Sequence, residues 1–220
     1  MIVEIWSDVV CPWCYIGKRR FEAALGDYER ETGEKVEVRY RPFMLDPNAP
    51  TEAQPVRQAY EKKFGGPQAA AKILNTVTTE AAGEGLEFNM DIAQRANTLS
   101  AHRLLVFAEQ QGRQVELKEL LMQAYFTDGV DVGDQQSLLA CAVEAGLDGD
   151  AAKAWLDQDS GRAEVAASLE FCAENGITSV PTYVFDRRVA VPGAQPVETF
   201  ARLLQRVATT DGPAQLYDPT

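Results

Sequence analysis

Strand signals in this chain are confined to its two ends, and from Pro55 to about Asn175 nearly every segment carries helical periodicity between Gly, Asp or Asn punctuation. A chain in that order has few ways to close a core. At the front, Ile2 to Trp6 reads as a strand, a helix follows from Tyr15 with Gly33 as its stop, and Lys35 to Phe43 alternates Val36, Val38 and Tyr40 with charged residues. This is a βαβ unit, which places its two strands in parallel with a right-handed crossover. At the back, Thr182 to Phe185 and Val189 to Val191 flank DRR as a hairpin. Pro196 then opens a closing helix in which Phe200, Leu203, Leu204 and Val207 share a face.

The two ends complete one α/β sheet, βαβ plus ββα, with an all-helical domain inserted between them. The expected division is residues 1–45 and 176–210 for the discontinuous sheet domain, with helix 161–175 leading back into it, 46–160 for the insertion, and 211–220 for a C-terminal tail. The helices expected between run over Pro55–Phe64, Gln68–Glu84, Ala96–Gln111, Val115–Thr127, Asp134–Ala145, Ala151–Asp157 and Gly161–Asn175, and no convincing strand is expected among them.

With 45% apolar and 25% charged residues the chain has an ordinary globular composition. A formal charge of −12 disfavours nucleic acid and anionic membranes as partners, because both need a basic face. No stretch approaches the roughly 18 apolar residues of a membrane span. The N-terminus lacks the features of a secretory signal, so a soluble, cytoplasmic protein is expected.

Four cysteines are too few for a secreted disulfide scaffold, and only Cys11 and Cys14, in CPWC, are closely spaced. In a reducing compartment a CxxC pair is more often catalytic or metal-binding than structural. The motif lies where strand gives way to helix. A thiol at a helix N-terminus faces unpaired N–H groups and the positive end of the dipole, which favours the nucleophilic thiolate at Cys11. Cys14, one turn on, can attack a mixed disulfide at Cys11 and release the partner. Pro12 suits the first helical turn, and Trp13 offers an apolar surface beside the sulfurs.

Zinc is the rival reading of a CxxC, but its other half is missing: Cys141 and Cys172 stand alone in helical patterns and His102 is the single histidine. No metal is expected. A pair of inert buried thiols is the other alternative. The segment GITSVPTYVF adds a second feature, placing Val180-Pro181 just before a strand, where a proline is often cis. In the sheet described above, Pro181 falls beside the helix carrying Cys11, where the backbone before it can pair with an extended substrate.

SDVVCPWCYIGKRRFE, NTLSAHRLLVFAEQQG, GITSVPTYVF and VPGAQPVETF, in this order over nearly the whole chain, resemble the DsbA-like thioredoxin-fold oxidoreductases, specifically the FrnE-like branch. The resemblance implies a thioredoxin fold with an all-helical insertion, Cys11 as nucleophile, Cys14 as resolving thiol and Pro181 as the cis-proline. The implied partners are protein or small-molecule disulfides and thiols, with no tightly bound cofactor. The same branch also resembles glutathione-dependent 2-hydroxychromene-2-carboxylate isomerases and kappa-class glutathione transferases, which use a serine near the position of Cys11. The alternative activity is therefore a glutathione-dependent isomerase or transferase acting on an aromatic or polyketide-like molecule. Two intact cysteines favour dithiol redox chemistry. Glutathione remains a candidate redox partner or co-substrate near Val180 and Pro181. The expected state is a monomer or a homodimer, the latter by likeness to the glutathione-using relatives.

His102 lies in the resemblance motif NTLSAHRL and is a candidate for substrate binding or for steadying the Cys11 thiolate. With no carboxylate identifiable as its partner, a satisfied helix histidine is the preferred reading. Cys172 shares a stripe with Val165 and Leu169, and Cys141 shares a helix with Leu138 and Val143, so both read as core. A disulfide between them has no motivation in the sequence. Lys18, Arg19 and Arg20 read as solvated helix charge.

Overall fold

A computed structural model describes residues 1–50 and 52–209, so the tail expected at 211–220 lies outside the described residues. Strand β1 (Ile2–Ser7) leads into helix α1 (Pro12–Thr32) and strand β2 (Glu37–Pro42). The helix begins at Pro12 rather than Tyr15. Cys11 is its N-cap in extended conformation, and the fixed φ and missing N–H of proline suit the first helical position. Gly33 ends the helix in the left-handed region, where its N–H donates to the Glu29 carbonyl at 2.9 Å.

The helical block then runs through β3 (Gln54–Pro55), α2 (Val56–Phe64), α3 (Pro67–Gly83), β4 (Gln94–Arg95), α4 (Leu99–Gln110), α5 (Gln114–Phe126), α6 (Gln135–Glu144) and α7 (Gly149–Asp157). Its two-residue ladder of β3 with β4 departs from the strandless expectation, because two residues are too few for an alternating pattern to register. Helix α8 (Arg162–Glu174) returns to the sheet, followed by the hairpin of β5 (Thr182–Phe185) and β6 (Val189–Pro192) and by helix α9 (Val197–Thr209).

The four-stranded sheet has the order β2-β1-β5-β6. β1 and β2 are parallel, with Ile2 opposite Glu37, while β5 joins β1 antiparallel, with Val3 opposite Phe185. The two ends of the chain therefore meet at the centre of the sheet. Alternation along the strands sends Val3, Ile5, Tyr183 and Phe185 to the face covered by α1 and α9, where Phe21, Phe200 and Leu204 close the core. Trp6 and Val184 point to the other face, against Cys172 of α8.

The helical block has its own, larger cluster, built on Leu104, Leu117, Leu121, Phe126 and Leu138. Cys11, Cys14, Tyr15 and Ile16 belong to that cluster and not to the core of the sheet. The sheet positions the motif and the insertion covers it. None of the helices among the described residues is long and apolar enough to cross a membrane.

Candidate functional site

Cys11 and Cys14 are both free thiols and each is only 3% exposed. The Cys11 thiol donates to the Val180 carbonyl at 3.7 Å, and the Val180–Pro181 peptide is cis. Residues 169 positions apart are thus joined at the N-terminus of α1, because β1 ends and the antiparallel β5 begins at that edge of the sheet. Pro12 is buried at the start of the helix, while Trp13 is 37% exposed beside the sulfurs.

The expected depression of the Cys11 thiol is not what the dithiol displays. The hydrogen bond with Cys14, then burial and the Cys14 charge, push the Cys11 thiol well above its ordinary value. Burial also opposes ionisation of Cys14. It is outweighed by the hydrogen bond from Cys11, the charge of Lys118 and the Ser7 hydroxyl, so that Cys14 titrates below its ordinary value. Helix-dipole reasoning from sequence leaves out both the neighbouring thiol one turn along α1 and the groups brought in from other elements, Lys118 and Ser7.

Beneath the motif lies a buried polar cluster. His102 Nε2 sits 3.1 Å from Asp8 Oδ1, with side-chain exposures of 1% and 0%. Asp8 Oδ2 accepts the backbone N–H of Leu45 at 2.8 Å. Although burial opposes it, the His102 hydrogen bond and charge hold the Asp8 carboxyl below its ordinary value. The carboxylate that the sequence did not identify for His102 is therefore Asp8, 94 residues away. His102 is 1% exposed and its ring is engaged by Asp8.

Lys118 is the second residue that sequence reasoning missed. It is 0% exposed on α5, and its Nζ has no hydrogen-bond partner among the described residues, lying 5.5 Å from the centre of the Tyr40 ring. Burial pulls its pKa down to about 8, against the charges of Cys14, Asp8 and Cys11. A signal was present: Lys118 falls on one helical stripe with Leu121, Met122 and Tyr125, all buried. Nothing local marks Asp8, whose partner comes from a distant helix.

The basic run after the motif is held in ion pairs with the insertion. Lys18 is 2% exposed and pairs with Glu22 and Glu119, and Arg19 also pairs with Glu119. Arg20 binds Glu84 at 2.6 Å, Glu80 at 2.8 Å and the Ala194 carbonyl at 3.0 Å. These cations fasten α1 to α3 and α5 of the insertion, with their charge compensated by carboxylates.

Cys141 is 8% exposed in the insertion cluster and Cys172 is 3% exposed against Trp6, so the two thiols lie in separate cores. Burial pushes Cys172 up to about 12. Val143, on the same helix as Cys141, is 58% exposed. Among the described residues, no group of three His, Cys, Asp or Glu side chains is gathered as for a metal ion. Beside Val10, the residue before Cys11, opens a cleft of about 390 Å³ whose lining includes Tyr60, Tyr125, Lys62, Lys63 and the ion pair of Arg95 with Asp46.

Residues 2–205 match the model of the DSBA-like thioredoxin domain. A probable DsbA oxidoreductase from Streptomyces coelicolor is 37% identical in sequence, with a TM-score of 0.88 over 100% of this chain and 94% of that one. The cytosolic disulfide reductase DsbM from Pseudomonas aeruginosa, solved with GSH, superposes at a TM-score of 0.67 with 20% identity, covering 94% of this chain and 100% of its own. A 2-hydroxychromene-2-carboxylate isomerase superposes at 0.64 with 17% identity, covering 94% of this chain and 96% of its own. These last two show likeness of fold alone. With the match spanning both halves of the sheet and the helices between them, the chain belongs to the DSBA-like thioredoxin domain family, whose fold is of the thiol oxidoreductase type.

Proposed function

We propose that this protein is a thiol-disulfide oxidoreductase that cycles Cys11 and Cys14 between dithiol and disulfide. The observation that carries the reading is the meeting of two free thiols at the start of α1 with the Val180 carbonyl and Pro181. Cys11, at the N-cap, attacks a partner disulfide, and Cys14, one turn inward, displaces the partner from the mixed disulfide. Pro12 and Trp13 shape the rim, and the backbone at Val180 and Pro181 receives the substrate chain.

Protein or small-molecule disulfides are the proposed partners. The cleft beside Val10 has the volume of a small-ligand site, and its Lys62 and Lys63 suit an anionic thiol such as glutathione, acting as redox partner without being tightly held. The domain division, 1–45 with 176–210 around the insertion 46–160, is the working frame for this reading. A reducing, cytoplasmic compartment fits a protein with one redox pair and two further thiols buried apart.

Equilibration in glutathione redox buffers with thiol trapping, with Cys11→Ser and Cys14→Ser as controls, tests the reading. A reversible two-electron couple between roughly −120 and −270 mV is expected. A glutathione adduct that persists despite Cys14 would instead favour the glutathione-dependent isomerase or transferase reading.

A further inference from the structure

On the face of the sheet turned away from α1 and α9, a hollow of about 160 Å³ lies between the end of α8, the segment 175–179 and the β5–β6 hairpin. It shares no lining residue with the cleft beside Val10. Its floor is apolar: Val184 and Ala190 face each other across the hairpin, with Ile177 and Pro192 beside them. Phe171 forms a wall. One face of its ring is stacked on Trp6, with centroids 5.2 Å apart and planes 12° from parallel, yet Phe171 is 40% exposed and still offers aromatic surface to the hollow. The mouth is cationic. Arg187 and Arg188 line it and, among the described residues, no Asp or Glu does, in a chain of formal charge −12. The exposed Arg187 guanidinium lies 3.6 Å from Glu4, a carboxylate that Arg41 already binds at 2.8 Å. The backbone holds Arg187 there at a cost. Asp186 and Arg187 are the central residues of the hairpin turn, with φ of 46° and 56°, and the Arg188 N–H closes it on the Phe185 carbonyl at 2.8 Å. Such turns are ordinarily Asn-Gly, and arginine has no conformational reason to stand second in one. Asp186 clamps the turn to β1, its N–H donating to the Ile2 carbonyl at 2.8 Å and its carboxylate accepting the Ile2 N–H at 2.6 Å.

We propose that this hollow binds a single-ring aromatic carboxylate, with the ring between Phe171 and the floor of Val184 and Ala190 and the carboxylate at Arg187. Size selects the ring. An apolar cavity of about 150 Å³ holds one benzene, and a hollow of about 160 Å³ has no room for a long acyl chain. Charge selects the head group, because the planar guanidinium fork matches a carboxylate through two parallel hydrogen bonds. Since Arg187 is exposed, the carboxylate keeps part of its hydration and only the ring is buried. The hollow also backs onto the dithiol. Ser179 and Thr182 line it on either side of Val180 and Pro181, and the Thr182 hydroxyl donates to the Ser179 carbonyl at 2.8 Å. An occupant touches from behind the loop whose Val180 carbonyl accepts the Cys11 thiol.

The test is amide NMR of the full chain titrated with phenylacetate, with benzylamine as a ring of opposite charge and acetate as a charge without a ring. Phenylacetate is expected to bind saturably with a Kd of about 1 mM or tighter, and about tenfold more tightly than either control. The shifts are expected at Thr178, Ser179, Thr182 and Ala190, with Val10 and Tyr60 unmoved. Ala190→Phe, which fills the hollow, is expected to abolish them, and Arg187→Gln, at an exposed side chain, to weaken binding about tenfold. Shifts centred on Val10 and Tyr60, equal binding of benzylamine, or no saturation by phenylacetate each overturn the proposal. So does an Arg187→Gln protein that binds as tightly as the parent, a result that needs no folded Ala190→Phe variant. Sedimentation of the ligand-free protein guards against another occupant: a dimer whose contact covers Phe171 and Ala190 assigns the hollow to a second copy of the chain and overturns the proposal. The titration is read on the dithiol protein, so its outcome is independent of whether Cys11 and Cys14 ever form a disulfide.

Discussion

Glu119 of α5 binds Lys18 and Arg19 of α1 together, and it accepts the Tyr15 hydroxyl as well, at 2.7 Å. One carboxylate thereby ties the helix that carries both cysteines to the helix that carries Lys118. Glu119→Gln leaves Lys18 with Glu22 as its single acidic partner while still 2% exposed, so a stability loss of about 2 kcal/mol is expected in urea denaturation. An unchanged midpoint would mean that the aromatic packing of Tyr15 on Phe88 and Phe126 holds this interface without the carboxylate.

Asp8→Ala deletes the acceptor for both His102 and the Leu45 N–H inside the protein, and a cost of about 3 kcal/mol is expected. Asp8→Asn retains an oxygen and loses less. Because the folded carboxyl titrates below 3.8, the unfolded chain takes up the proton first as pH falls. The Asp8 contribution is complete above about pH 4 and drains away as pH drops through the folded-state value. Acid unfolding of Asp8→Asn, compared with the parent, is expected to be shallower in that window.

Gly17→Ala tests how closely α1 approaches the Pro181 loop. An added Cβ would meet the Tyr183 hydroxyl at 2.7 Å and both Ala194 Cβ and Pro181 Cγ at 3.2 Å. Alanine favours a helix over glycine by about 1 kcal/mol, but forcing a group into a well-packed site costs about 1–3 kcal/mol. The ring of Tyr183 is fully buried and cannot swing away. A net loss of stability is expected by thermal melting, together with slower disulfide exchange as the Pro181 loop is displaced. A stabilised protein would show that the loop yields freely.

Limited alkylation at neutral pH is expected to modify the Cys11–Cys14 pair first and to leave Cys172 untouched in the folded protein. Its titration near 12 leaves almost no thiolate to react. Mass mapping after brief exposure checks this, and early label on Cys172 would count against the packed contact of that thiol with Trp6.

Much of this architecture is legible in the chain because its signals are local and strong. The period-two run ending at Tyr40, the spacing of the cysteines and the left-handed Gly33 that stops α1 each report on a few neighbouring residues. The polar cluster was not legible, because Asp8 and His102 are made partners by the docking of α4 and are anonymous in their own segments. Lys18, Arg19 and Arg20 show the same limit. Three consecutive cations on a helix look like a wet surface until α3 and α5 bring Glu80, Glu84 and Glu119 against them. The groups that lower Cys14 are only partly legible for the same reason: its Cys11 partner lies within CPWC, but Lys118 arrives from more than 100 positions downstream in the numbering.

The sharing of one apolar cluster by both cysteines and the insertion sets a boundary on redesign. A trimmed version retaining only the sheet and its flanking helices would strip the wall from one side of each sulfur and remove Lys118 with it. Such a fragment would keep the CPWC letters and be a different reagent, with wet, ungoverned thiols. Conversely, exchanging insertions between relatives on a constant sheet would retune the dithiol without altering a residue of the motif.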